Sequence, residues 1–185
     1  MFVKICGLTN REDALAAVES GARAIGFVFA SSPRTANPAL IEPWIDEIPP
    51  QIWKVGVFVD EDPETIEQIA RQLHLDIAQL HGAETPDRHP HGIRVWKAFR
   101  VTPETEVADY PAEAIMIDGA GYDWSKTSHI SKPLILAGRL NPDNVAAAIE
   151  RARPWAVDVS SGIEASPGRK DHARMKQFIK AALSQ

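Results

Sequence analysis

Cys6 is the only cysteine of the chain, and it closes an apolar stretch, Phe2-Val3-Lys4-Ile5-Cys6, that runs straight into Gly7-Leu8-Thr9-Asn10. If the stretch is a strand, Lys4 and Cys6 share one face and Val3 and Ile5 the other. A thiol at a strand end, directly before a glycine, is aimed at a binding face; taken alone, a buried lone cysteine is more often a small hydrophobe. The same parity separates Met116 and Asp118 from Ile115 and Ile117, and Asp158 and Ser160 from Val157 and Val159. A thiol and a carboxyl group facing each other across a cavity would let one deprotonate where the other protonates. Each polar residue also has a plainer reading. Asp118, before Gly119, could close a turn; Asp158 could be the counter-ion of Lys4; His81 could be a hydrogen-bonded rim residue. Arg34, after Ser31-Ser32-Pro33, could be a solvated loop charge, although its planar fork of donors is what an anionic substrate requires.

The elements that must position these groups are short β-branched or aromatic runs: Phe2 to Cys6, Ala24 to Phe29, Trp53 to Val59, Ile77 to His81, Arg94 to Phe99, Ala114 to Asp118, Pro133 to Ala137 and Trp155 to Ser160. They alternate with helical segments in the pattern of βα units. Asn10 precedes a helix over Arg11 to Val18. Asp62-Pro63-Glu64 opens one over Thr65 to Leu73, Asn141-Pro142-Asp143 one over Asn144 to Arg151, and the chain ends in an amphipathic helix, Asp171 to Leu183. Glu84 to His91 and Thr102 to Pro111 are short and proline-broken, enough for one turn or a loop.

Eight such units predict an α/β fold, a single compact (β/α)8 TIM barrel over residues 1–185 with some helices shortened, since such barrels typically take about 250 residues. No Gly-x-Gly-x-x-Gly follows the first strand, which disfavours an open dinucleotide-binding sheet. In a barrel the C-terminal strand ends form the active site, so strands one and six would place Cys6 and Asp118 across the mouth from each other. The segments after strands seven and eight, with Gly138 and Arg139 and with Ser160, Ser161 and Gly162, fall where barrels hold a phosphate on loop N–H groups; the glycines could also serve only tight turns.

The net charge of −5 argues against a nucleic-acid surface. No apolar run approaches the roughly 18 residues of a membrane span, and no signal-peptide pattern opens the chain, so a cytoplasmic protein is expected. One cysteine forms no internal disulfide, in keeping with a reducing compartment.

In order along the chain, Lys4-Ile5-Cys6-Gly7-Leu8-Thr9, Gly26-Phe27-Val28-Phe29 with Ser32-Pro33-Arg34, Val55-Gly56-Val57-Phe58-Val59, Gln79-Leu80-His81-Gly82, Lys97-Ala98-Phe99, Ile117-Asp118 with Asp123-Trp124, Leu136-Ala137-Gly138 with Leu140 to Val145, and Val157 to Glu164 with Pro167-Gly168 and Lys170-Asp171 resemble the phosphoribosylanthranilate isomerases. The likeness covers essentially the whole chain. It implies the Amadori rearrangement of tryptophan biosynthesis, an internal redox that needs no cofactor or metal. By resemblance Asp118 is the general acid and Cys6 the general base, Arg34 binds the anthranilate carboxylate, and His81 and Asp158 line the substrate. Gly138, Arg139, Ser160, Ser161 and Gly162 hold its phosphate. A small phosphorylated substrate is then the partner, with the protein a monomer or homodimer.

An acid must be protonated when it acts, which predicts a carboxyl pKa raised by partial burial at Asp118. A thiol base needs a lowered pKa, for which Lys4 offers positive potential, or a proton acidified by the iminium intermediate. The chain departs from the family in three places. Arg139 follows Gly138 where a second glycine is usual, only Gly119-Ala120-Gly121-Tyr122 separate Asp118 from Asp123, and the fourth and fifth helical segments are abbreviated. A noncatalytic or weakly active phosphosugar-binding barrel, relic or engineered, is therefore the alternative. The sugar isomerisation of histidine synthesis usually relies on two aspartates, so Cys6 favours the anthranilate substrate.

Overall fold

A computed structural model describes residues 1–185. The apolar runs form parallel strands that close on themselves in chain order: β1 Phe2–Ile5, β2 Ala24–Val28, β3 Trp53–Phe58, β4 Ile77–Leu80, β5 Arg94–Arg100, β6 Ala114–Asp118, β7 Leu134–Ala137 and β8 Ala156–Val159. The barrel seals where β1 pairs with β8, Lys4 standing opposite Asp158. Cys6, Phe29, Val59, His81 and Ser160 lie just past their ladders, and β5 runs one residue longer than the sequence suggests. Several of these residues remain anchored: Cys6 N donates to Val159 O at 2.9 Å and His81 N to Phe58 O at 2.9 Å.

The helices are unevenly distributed. Asn10, Asp62 and Asp171 cap α1 (Arg11–Glu19), α3 (Pro63–Gln72) and α5 (His172–Leu183) by accepting a first-turn N–H on the side-chain oxygen. The single turn α2 (Pro38–Ile41) follows β2, and α4 (Val145–Ala152) stops at Arg153, whose φ of 44° breaks the helix. Only a 3-10 turn, Pro86–Arg88, separates β4 from β5, no helix joins β5 to β6, and a second 3-10 turn, Trp124–Thr127, precedes β7. A hairpin outside the eight βα units, β9 (Glu164–Ser166) with β10 (Arg169–Lys170), stands between β8 and α5. No helix is long and apolar enough to cross a membrane.

Alternation sorts the strand residues as the pattern requires. Val3, Ile5, Ile25, Phe27 and Val157 face the helices in one core cluster, while Ala24, Val55, Trp96, Met116 and Ile135 fill the barrel interior. The interior is floored at its N-terminal end by Phe2, Trp53, Trp96 and Trp155, whose ring centroids lie 4.8 to 6.5 Å apart. Above that floor the interior turns polar. Lys4 is fully buried there, and it fits because Gly26 carries no side chain: a Cβ on Gly26 would lie 3.0 Å from Cys6 Sγ and 3.1 Å from Lys4 Nζ.

Candidate active site

At the C-terminal strand ends a cavity of about 440 Å³ opens, and every residue singled out from the sequence lines it: Cys6, Arg34, His81, Asp118, Gly138, Arg139, Asp158, Ser160, Ser161 and Gly162. Cys6 comes from β1 and Asp118 from the end of β6, so thiol and carboxyl group reach the same space from different walls. The loop after β8 is tight: a Cβ on Gly162 would fall 1.8 Å from Leu140 O, so only glycine lets the loops after β7 and β8 lie together. Arg139 occupies the left-handed region at φ 54° directly after Gly138 at φ 101°, and Asn144 Nδ2 donates to its carbonyl at 3.0 Å. Its side chain remains exposed at the cavity rim.

The electrostatics beneath the cavity centre on Lys4, whose ammonium donates to Asp158 Oδ1 at 2.7 Å. Burial alone would push the Lys4 pKa down, but Asp158 and Cys6 outweigh it and hold it above its ordinary value. Burial pushes the Cys6 thiol up from its ordinary 9.0; Lys4 pulls the other way without reversing the shift, and Asp158 adds to it. Lys4 therefore does not produce a lowered thiol pKa.

Asp118 also departs from expectation. His81 Nε2 approaches Asp118 Oδ2 to 3.3 Å, off the N–H axis, so that the nitrogen has no aligned hydrogen-bond partner although the electrostatic contact is close. The His81 imidazole holds the Asp118 carboxyl below its ordinary 3.8 against the opposing effect of burial, with Arg100 and Lys4 adding to the depression. The pKa raised by partial burial is thus corrected: a neighbouring imidazole outweighs desolvation.

Sequence parity missed several groups that complete the cavity. Arg100 extends β5 and, with Arg34 and Arg139, makes three arginines on the lining. Gln79, one alternation below His81, is buried with its Oε1 unpartnered and its Nε2 3.5 Å from Met116 Sδ. Glu164 binds Arg34 through both carboxylate oxygens, at 2.8 and 2.7 Å. Parity on β4 and the last residue of β5 could have revealed the first two; nothing local marks Glu164 as the partner of a residue in another loop.

The family model for N-(5'-phosphoribosyl)anthranilate isomerase matches residues 3–181. The chain belongs to the phosphoribosylanthranilate isomerase family. It is 44% identical over 196 residues to the N-(5'-phosphoribosyl)anthranilate isomerase of Solibacter usitatus, with 98% of this chain and 97% of that protein covered. Among solved structures, monomers of the dimeric isomerase of Thermotoga maritima superpose with a TM-score of 0.87 at 42% identity, all of both chains covered. A phosphoribosylanthranilate isomerase in complex with reduced 1-(o-carboxyphenylamino)-1-deoxyribulose 5-phosphate gives 0.88, again at 42% identity and full coverage of both chains. The closed barrel is thus that of the phosphoribosylanthranilate isomerases, and the abbreviated connections around β5 are accommodated within it.

Proposed function

We propose that this cavity carries out the family's reaction, the Amadori rearrangement of N-(5'-phosphoribosyl)anthranilate to 1-(o-carboxyphenylamino)-1-deoxyribulose 5-phosphate in tryptophan biosynthesis, with Asp118 as general acid and Cys6 as general base. Protonation of the furanose ring oxygen by Asp118 lets the C1–O bond break as the anilino nitrogen lone pair forms an iminium. The iminium acidifies the C2 proton, which the Cys6 thiolate removes, and the resulting enolamine tautomerises to the ketone. The electron pair moves within the substrate, so the reaction needs no redox cofactor.

One observation carries this reading: a thiol and a carboxyl group enter one cavity from β1 and β6, beside an anion loop and three arginines. Arg34 takes the anthranilate carboxylate, His81 and Asp158 line the sugar, and Gly138, Arg139, Ser160, Ser161 and Gly162 receive the phosphate. With the Cys6 thiol held above its ordinary 9.0 and the Asp118 carboxyl below its ordinary 3.8, the proton at neutral pH rests on the thiol and is absent from the carboxylate. Bound substrate shifts the balance by displacing water from around Asp118, and the iminium formed when the ring opens brings positive charge towards Cys6. The protein acts as a one-domain cytoplasmic enzyme on a small phosphorylated substrate, as monomer or homodimer.

The test is the decay of substrate fluorescence on adding the purified protein. Turnover that collapses in both Cys6→Ala and Asp118→Asn supports the assignment. A folded wild-type protein with no turnover, or either variant retaining wild-type rate, rejects it.

A further inference from the structure

Arg34 is not free to wander. Its backbone N–H donates to Ser32 Oγ at 3.0 Å, and its Nε and Nη2 donate to the two oxygens of Glu164 at 2.8 and 2.7 Å. Nη1 donates to no protein group, and the side chain, 23% exposed, lines the cavity. Glu164 is itself buried, its side chain 6% exposed, and it also accepts from Lys170 Nζ at 3.0 Å and from Gly168 N at 3.3 Å. Lys170 in turn donates to the carbonyl of Ser160 at 3.1 Å, the first residue of the anion loop.

One carboxylate therefore ties together the arginine after β2 and, through a fully buried ammonium, the loop after β8. The charges of Arg34, Glu164 and Lys170 sum to one net positive charge, the sign an anionic substrate needs. A guanidinium fixed on one edge presents its other edge at a set angle, and most of the rotamer freedom of a long side chain is lost before the ligand arrives.

We propose that Glu164 is the positioning residue for substrate recognition: it clamps the Nε–Nη2 edge of Arg34 so that the Nη1 edge meets the aromatic carboxylate, and through Lys170 it steadies Ser160 beneath the phosphate. This rests on the reading that Arg34 receives the carboxylate. The hairpin β9–β10, whose turn brings Lys170 back beside Glu164, then exists to build this clamp.

The experiment compares the dissociation constants of two stable ligands, reduced 1-(o-carboxyphenylamino)-1-deoxyribulose 5-phosphate and its counterpart lacking the carboxyl group, measured by titration calorimetry. They share the phosphate, so a general loosening of the anion loop weakens both equally. The ratio of the two constants isolates the carboxylate. In Glu164→Gln that ratio is expected to fall about tenfold, the scale of one well-oriented charge-assisted bond. In Arg34→Ala it falls at least as far, and adding Glu164→Gln to Arg34→Ala changes it no further. Glu164→Asp, which keeps the charge and shortens the reach, is expected to lose most of the same discrimination, and it serves in place of Glu164→Gln should that variant not fold. A ratio unchanged in the folded Glu164 variants while Arg34→Ala abolishes it overturns the positioning role alone. A ratio unchanged in Arg34→Ala overturns the recognition reading and the proposal with it.

Discussion

Strands β7, β8, β1 and β2 are backed largely by α4, α5 and α1 in a core cluster of 26 buried residues, whereas the outer face of β6 is covered by loops in a cluster of 7. On the helical side α5 packs on α1, α4 and β1, and stability follows from apolar area in the ordinary way. On the loop side polar contacts do more. Lys97 Nζ, on the outer face of β5, donates to Glu84 Oε2 and to Gly82 O, both at 2.6 Å, with the two side chains only 3% and 4% exposed. Glu84 also accepts from the backbone N–H groups of Asp60 and Gly82, and Tyr110 OH donates to Glu84 O at 3.0 Å. The Lys97 ammonium lies 5.7 Å from the Phe99 ring and 5.6 Å from that of Tyr110. A barrel wall that lacks the residues for a helix is thus closed by a buried ion pair satisfied on several sides. The thin wall still carries Asp118, while the thick wall carries Cys6.

The sharpest test of whether both walls serve the chemistry is removal of one group from each. Cys6→Ala and Asp118→Asn are each expected to lower kcat by about 10² to 10⁴, with melting temperature little changed. For the wild type, kcat/KM should form a broad plateau, falling only below the depressed Asp118 value and above the raised Cys6 value, because the active and resting arrangements of the pair hold the same number of protons. A profile with a limb near neutral pH would contradict those shifts.

Next in size are the supports of the walls. Lys97→Met leaves Glu84 buried and uncompensated and is expected to destabilise by about 3–5 kcal/mol in urea unfolding. Phe178→Ala, in the fully buried heart of α5, should cost a similar amount, about 3–5 kcal/mol. The two should differ in where they loosen the protein: faster amide exchange in β5 and β6 for Lys97→Met, and in β1 and β8 for Phe178→Ala. Identical exchange patterns would erase the distinction between the walls.

A smaller effect is expected from acid. Burial alone would raise the Glu84 and Glu164 pKa values, but Lys97 and backbone donors hold Glu84, and Arg34 and Lys170 hold Glu164, below their ordinary 4.5. Their contribution is therefore present above pH 4.5 and is lost as pH falls through the depressed folded values. Unfolding free energy measured across the acid range should fall below pH 4.5, and Glu84→Gln should flatten the part belonging to the thin wall. The least change is expected from Asn10→Ala, which removes the α1 cap bond to Asp13 N and should cost about 1 kcal/mol by thermal melting.

Much of this was legible in the sequence because side-chain alternation is local. Parity along Phe2 to Cys6 and Ala114 to Asp118, together with closure in chain order, was enough to aim Cys6 and Asp118 into one mouth. The loops after strands seven and eight were found by the same counting. What parity could not supply was company from elsewhere in the chain. The depressed Asp118 carboxyl depends on His81, brought from β4. Arg34 meets Glu164 across a separation of 130 residues, and Lys97 of β5 meets Glu84 of the loop after β4. The hairpin β9–β10 was also missed, although Pro167-Gly168 offered a turn signal for it.

The aromatic floor has an optical consequence. Of the five tryptophans, Trp53, Trp96 and Trp155 lie with ring centroids 6.0 to 6.2 Å apart, close enough to share excitation. Trp44 packs against Phe27 in the outer core, and Trp124 alone lies beside Tyr122 near the loop after β6. Three of the five emitters therefore sit at the end of the barrel remote from the mouth. A denaturation curve followed by tryptophan emission therefore weighs the opening of the floor heavily, whereas no tryptophan lines the mouth itself.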